Sequence, residues 1–95
     1  MTGSLTSARV QVLGLDVLLA VRTISSGDTD AVRGKVRDLL SGLSVDDLSR
    51  VLTYVAVRAA ARHEPDDMAW SASLVEDRQR AQQVDDLEGL WEQSS

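Results

Sequence analysis

Acidic residues occur in adjacent pairs along this chain, and paired carboxylates are the first pattern to test for acid–base catalysis or for cation binding. The pairs lie at positions 46–47, 66–67, 76–77 and 85–86. Neighbouring residues on a helix point about 100° apart, so the two carboxylates of a pair do not converge on one site. The sequence also lacks the D-x-D-x-D-G spacing of an EF-hand loop. We therefore interpret the pairs as surface and helix-cap charges.

The amino-acid composition and the motifs of the sequence give little support to metal binding or nucleophilic catalysis. The chain contains a single histidine, His63, and no cysteine, whereas a zinc site needs several such ligands at fixed spacing. The glycine-rich phosphate-binding motifs and the G-x-S-x-G elbow are absent from the sequence. The sequence therefore predicts a non-enzymatic protein with no catalytic residue, no metal ligand and no cofactor.

Asp16 is the one acidic residue within the most apolar stretch of the chain, Val10 to Val21. A carboxylate in such a stretch needs a cationic partner, or its pKa rises. Arg50, Arg58 or an arginine of a second subunit are the partners that we consider for it. A structural ion pair is a better interpretation than catalysis.

The negative charge of the chain is concentrated at its C-terminal end. Residues 1–63 carry eight basic and six acidic side chains, whereas residues 64–95 carry two basic and nine acidic ones. This asymmetry predicts a compact helical body at 1–63, followed by an acidic helical arm at 64–95. Acidic arms of this kind contact partners more often than substrates.

Hydrophobic periodicity and capping signals predict an all-α fold, a small bundle of three to four helices. Within the body we expect helices at about 7–24, 29–41 and 45–63, with Ser44 as the N-cap of the third and Gly42 in the left-handed conformation. Gly14, inside the first helix, indicates close approach by a neighbour. A fourth helix from about residue 66 is polar between 76 and 83, as in solvent-bridging or marginal helices. The expected core consists of Leu13, Val17, Leu39, Leu40, Leu48, Val51, Leu52 and Val55.

The second and third helices invite comparison with a DNA-binding helix-turn-helix, because only residues 41–44 separate them. The recognition helix would begin with Asp46 and Asp47, which phosphates would repel. A calculated isoelectric point near 4.6 also lacks the basic footprint of a DNA-binding domain. We therefore predict an αα-hairpin and no direct contact with nucleic acid.

The segment 84–91 carries the strongest functional signal. Its apolar residues recur at helical spacing between acidic ones, as in helices that enter a groove on a partner. The predicted partner-binding residues are Val84, Leu87, Leu90, Trp91, Asp85, Asp86 and Glu88. The segment is similar to acidic docking helices that end some modular biosynthetic proteins, a resemblance confined to these residues. Packing of the same stripe on the chain's own bundle or on a second copy is an equal alternative.

These features favour a non-enzymatic regulator or adaptor that self-associates through its apolar helices and engages a protein partner through the acidic segment. One alternative is an acidic inhibitor that mimics nucleic acid and occupies a basic DNA- or RNA-binding protein. Another is a small structural subunit of a phage or secretion assembly. The lack of asparagine and the excess of arginine over lysine indicate a GC-rich origin, actinobacterial or phage. We expect a cytoplasmic homo-oligomer with no signal peptide and no membrane segment.

Overall fold

A computed structural model describes residues 5–23, 28–62 and 66–94, with backbone only at residue 23 and at 91–94. Within these residues the chain is an all-α bundle, as the sequence predicts. The helices are α1 (Ser7–Thr23), α2 (Thr29–Leu40), α3 (Val45–Ala60) and α4 (Asp67–Ser94). The end of α3 falls three residues before the expected position 63, because Ala61 already serves as its C-cap.

The central element of the fold is α1, and α2, α3 and α4 all pack against it. This arrangement follows from the composition of α1, whose apolar residues cover most of its circumference. Its buried apolar side chains are those of Ala8, Val10, Val12, Leu13, Leu15, Val17 and Ala20. The burial that the sequence predicts for this helix is therefore confirmed.

The core divides into two clusters on different sides of α1. One contains Val10, Leu13 and Val51, with the half-buried Leu40 and Val55 packed against it. The other joins Leu15 to Trp70 and Leu74 of α4. Since this second cluster depends on α4, the core does not belong to the first three helices alone.

Leu52 is not a core residue, and the prediction that placed it there is wrong. It is 48% exposed, whereas Val51 beside it is fully buried. Residues that face α1 from α3 follow the row of Val51 and Tyr54, and Leu52 is rotated about 100° away from Val51. Of the other predicted core residues, Leu39, Leu40, Leu48 and Val55 are only half-buried.

The predicted capping signals at the α2–α3 connection are confirmed. Ser44 precedes α3 and its hydroxyl accepts a hydrogen bond from the Asp47 backbone nitrogen at 3.1 Å. Asp28 caps α2 in the same way by accepting from Ala31 N at 3.0 Å. Gly42 has φ of 83°, a conformation that side-chain-bearing residues rarely adopt. Ser44 and Gly42 therefore set the short connection between α2 and α3. The two helices pack against α1 rather than against each other, so the predicted αα-hairpin is not a packed helix pair.

Gly14 of α1 is closely approached by Tyr54 of α3, as its place inside an apolar helix predicts. A Cβ atom at this position would lie 2.5 Å from Cδ1 of Tyr54. The Tyr54 ring therefore occupies the space that a side chain would need. It packs against both core clusters and so links them.

Candidate interaction surface

The two longest helices, α1 and α4, run antiparallel, and polar contacts along their length define the register. Near the start of α1, Thr6 Oγ1 donates to Asp85 at 3.4 Å and Arg9 pairs with the same carboxylate at 3.8 Å. Near its end, Arg22 Nε donates to Ser71 Oγ at 2.8 Å. With the helices aligned in this register, the C-terminal turns of α4 extend past Ser7, the first residue of α1.

Asp16 forms the structural ion pair that the sequence predicts, but with a different arginine. Arg78 Nε donates to Asp16 Oδ1 at 2.5 Å, and Arg78 Nη2 lies 3.4 Å from Oδ2. Neither Arg50 nor Arg58 is the partner: Arg50 pairs with Asp47, and Arg58 with Asp77. The Asp16 carboxylate raises the pKa of Arg78, mainly through their hydrogen bond. The pair therefore joins α1 to the middle of α4.

The polar stretch 76–83 is anchored to the bundle by charge rather than by a wide apolar face. Besides Arg78, its Asp77 pairs with Arg58 of α3, and Ala81 is buried against the bundle. The expectation of a solvent-bridging stretch is therefore corrected, because two partly buried ion pairs replace the missing apolar contacts.

The predicted partner-binding residues lie on different sides of α4. The apolar ones are substantially exposed, at 44% for Val84, 58% for Leu87 and 60% for Leu90. Asp85 instead faces α1 through its contacts with Thr6 and Arg9. Asp86 is exposed and accepts a hydrogen bond from Gln82 at 3.0 Å. Trp91 belongs to α4, but its side chain lies outside the described residues.

Glu88 completes the predicted set and lies at the rim of a groove between α1, α3 and α4. The groove has a volume of about 420 Å³. Its lining residues are Ser7, Ala8, Gln11, Tyr54, Arg58, Asp77, Arg80, Ala81, Val84 and Glu88. Burial raises the pKa of the Tyr54 hydroxyl, so this group is a neutral hydrogen-bonding phenol near neutral pH.

Val84, Leu87 and Leu90 form one exposed apolar stripe on α4, which we call the tail stripe. It runs from Val84, at the edge of the groove, to Leu90. Asp86 and Glu88 lie on opposite edges of the tail stripe, because residues two positions apart on a helix are rotated by about 200° from each other. Glu88 has no ion pair within the described part of the chain. The tail stripe is therefore an exposed apolar strip with an acid on each side.

The basic residues of α2 form a second surface feature, to which the sequence reasoning assigned no role. Every arginine outside α2 takes part in an ion pair, namely Arg9, Arg22, Arg50, Arg58, Arg62, Arg78 and Arg80. Arg33, Lys35 and Arg37 of α2 are exposed and have no ion pair among the described residues. The net charge of residues 1–63 does not reveal this difference, because it does not show which arginines are already paired with acids.

Comparison with protein-family models, with curated proteins and with solved structures found no match. Among the described residues, no helix has the length and hydrophobicity needed to cross a bilayer. The same part of the chain contains no cluster of three or more acidic, histidine or cysteine side chains arranged to hold a metal ion. The exposed tail stripe is the feature that bears most directly on function.

Proposed function

We propose that this protein is a non-enzymatic interaction protein, a regulator or adaptor, which engages a protein partner through the C-terminal turns of α4. The observation that carries the proposal is the tail stripe. Its three apolar side chains remain about half exposed on a helix whose inner side is already packed on α1. Clusters of exposed apolar side chains with a polar rim are typical of protein–protein contact sites.

Self-association through helices is part of the same proposal. On α3, Val45 is 85% exposed and Leu52 is 48% exposed, and both line a shallow concavity with Leu48, Ser49, Thr53 and Ala56. None of these side chains carries a charge, so a second apolar helix can cover them without desolvating an ion. A small domain with such a surface gains stability when it forms an oligomer.

The nucleic-acid-mimic alternative receives less support from the arrangement of charges. Asp67, Glu76, Asp77 and Asp85 of α4 are ion-paired with arginines of the same chain. An acid that is already paired offers less charge to a basic groove. We therefore prefer a partner that recognises the apolar residues of the tail stripe and uses its acids for orientation.

Affinity capture with single-residue variants tests the proposed role of the tail stripe. We expect Leu87→Glu to abolish capture of a partner that the unmodified protein retains, because a carboxylate then replaces an apolar contact. The matched control is Val75→Glu, since Val75 is 43% exposed on the same helix but lies outside the stripe. Equal capture by both variants, or equal loss with both, would rule out the tail stripe as the docking element. Circular dichroism verifies that each variant is folded.

A further inference from the structure

We propose that an exposed row of residues on α3 pairs with the same row of a second copy, in an antiparallel pair of helices related by a two-fold axis. The row, which we call the α3 face, consists of Val45, Ser49, Leu52, Ala56 and Ala60. This inference rests on the self-association in the proposed function. It goes further because it names the residues that meet and the direction in which the two helices run.

The α3 face is an open surface of the protein. Val45 is 85% exposed and Leu52 is 48% exposed, and the other members of the face are exposed as well. The five positions recur at intervals of three or four residues, so they follow one side of the helix. A different side of α3 faces α1, through the fully buried Val51. Another helix can therefore reach the α3 face without displacing any part of the bundle.

The α3 face has no charged member, and this distinguishes it from the tail stripe. In a two-fold pair each surface meets its own copy, so a charge near the axis meets a like charge. Pairing of two tail stripes would bring Asp86 and Glu88 of one copy next to the same acids of the other. The tail stripe is therefore suited to a partner of different sequence, whereas the α3 face is suited to a second copy of this chain.

The charged residues of α3 are compatible with an antiparallel pair. Arg50 pairs with Asp47, and Arg58 with Asp77 of α4, so these three α3 side chains are already engaged within the chain. Asp46 is exposed beside the first turn of the α3 face. In an antiparallel pair the two Asp46 carboxylates lie near opposite ends, about 20 Å apart along the helices. A parallel pair would place them at the same level.

Side-chain size also favours the antiparallel direction. The N-terminal half of the α3 face carries the large Val45 and Leu52, whereas its C-terminal half carries Ala56 and Ala60. When the axis passes between positions 52 and 53, Val45 lies opposite Ala60 of the second copy, and Ser49 lies opposite Ala56. Large side chains then meet small ones, as in a well-packed core. A parallel pair would oppose large residues at one end and leave a gap at the other.

The paired length sets the expected strength of the dimer. The 16 residues of α3 extend over about 24 Å at 1.5 Å per residue. A single pair of helices lies at the small end of specific interfaces, below about 1,200 Å² of buried surface. We therefore expect a dimer that dissociates on dilution, and a covalent trap is the appropriate way to record its geometry.

Cysteine cross-linking identifies the residues that meet, because the chain has no cysteine of its own. The two variants are Ser49→Cys and Ala56→Cys, both at exposed positions with small side chains. In the antiparallel pair, position 49 of one copy lies opposite position 56 of the other. Two copies of position 49, or two of position 56, are about 10 Å apart along the helices, whereas a disulfide needs Cα atoms within about 7 Å.

The equimolar mixture of the two cysteine variants is the decisive sample. After mild oxidation, we expect it to yield about tenfold more disulfide-linked dimer than either variant alone, because only the mixture brings two cysteines within bonding distance. The control for random collision is Ser49→Cys mixed with Val75→Cys, since Val75 is 43% exposed on α4 and belongs to neither surface. Equal yields from the mixture and from each variant alone would overturn the antiparallel direction. A yield no higher than that of the control would overturn pairing through α3.

Charge placed near the axis gives a second test, which needs no disulfide. We expect sedimentation velocity to show that Leu52→Glu and Leu52→Lys each dimerise about tenfold more weakly than the unmodified protein, because each new charge then faces its own copy. An equimolar mixture should regain dimer, since glutamate then faces lysine, and recovery also shows that both variants are folded. Normal dimerisation of Leu52→Glu, or a mixture no better than its components, would overturn the inference.

The proposed function and this inference fail in different ways. Leu87 belongs to the tail stripe, so adding Leu87→Glu to both cysteine variants should leave their cross-linking unchanged. Loss of cross-linking would show that the copies associate through the tail stripe, and would overturn pairing through α3. If the cysteine mixture fails while Leu87→Glu still abolishes partner capture, the tail stripe is a docking element on a protein that does not pair through α3.

Discussion

Arg78 of α4 reaches Asp16 of α1 across the longest helix pair of the bundle, and its Nε lies 2.5 Å from the carboxylate. Both side chains are partly shielded, with 34% of Arg78 and 22% of Asp16 exposed. The ion pair lies midway along α1, between the contacts of Asp85 and those of Ser71. It therefore fixes the register in which α4 carries its C-terminal turns beyond α1.

Loss of this ion pair should destabilise the fold. We expect Arg78→Met to lower the free energy of unfolding by about 1–2 kcal/mol, because Asp16 would lose its charge-assisted hydrogen bond. The control is Arg80→Met, since Arg80 is 67% exposed in its pairs with Glu76 and Asp77 and such pairs contribute about 0–1 kcal/mol. Chemical denaturation measures the free energy of unfolding of both variants. A double-mutant cycle with Asp16→Asn should show coupling, and additive effects would contradict the prediction.

Gly14 should not tolerate even the smallest side chain. A methyl group there would lie 2.5 Å from the Tyr54 ring, so Gly14→Ala should cost about 1–3 kcal/mol through overpacking. Gly34 and Gly89 have no atom within 4 Å of an added Cβ, and Gly34→Ala should stabilise its helix by about 0.5–1 kcal/mol. Opposite signs for the two variants in thermal denaturation are the expected result. Equal effects would show that Tyr54 moves away at little cost.

Leu74 and Leu52 should differ strongly in their contributions to stability. Leu74 is fully buried, whereas Leu52 is 48% exposed. We expect Leu74→Ala to cost about 2–5 kcal/mol, and Leu52→Ala to cost less than about 1 kcal/mol in the monomer. Denaturation at low protein concentration measures both values. A large effect of Leu52→Ala that appears only at high concentration would indicate burial between copies.

The carboxylate of Asp67 should contribute to the acid sensitivity of the fold. Its hydrogen bond from Arg62, together with the charge of Arg22, lowers its pKa below the ordinary value of 3.8. Because the folded-state pKa is depressed, this stabilisation is complete above pH 3.8 and decreases as the pH falls through the folded-state pKa. Asp67→Asn should therefore melt at a lower temperature than the unmodified protein near pH 6, and the difference should shrink below pH 3.8.

The matched control for this measurement is Asp38→Asn, because Asp38 has no ion pair among the described residues. Its melting temperature should track that of the unmodified protein over the same pH range. A difference between Asp67→Asn and the unmodified protein that persists unchanged at low pH would contradict an electrostatic origin.

Trp91 provides a test of the tail that is independent of charge. If the C-terminal turns form a docking element, Trp91→Ala should weaken partner binding by about 2 kcal/mol, with little change in melting temperature. A self-packed Trp91 would instead cost the fold about 3–5 kcal/mol. Fluorescence of the Trp70→Phe variant reports on Trp91 alone. Red-shifted, quenchable emission at low protein concentration is the expected result, and protected emission would indicate a self-packed tail.

Interactions between residues close in sequence account for the parts of the fold that sequence reasoning placed correctly. Ser44 and Gly42 act within one helical turn of their own positions, so their side-chain and backbone preferences suffice to place the connection between α2 and α3. The burial of α1 likewise follows from apolar residues on nearly all of its sides. The glycine at position 14 indicates close approach, although the approaching residue, Tyr54, is far away in sequence.

Only the tertiary structure decides which residues meet across helices. The partner of Asp16 is Arg78, sixty-two positions away, and hydrophobic periodicity carries no information about that distance. Leu52 and Val51 are adjacent and both apolar, so only the position of α1 determines which of them is buried. The arginines that form ion pairs differ from the α2 cations, which have none among the described residues, for the same reason: a charge is neutralised by its neighbours in space rather than in sequence.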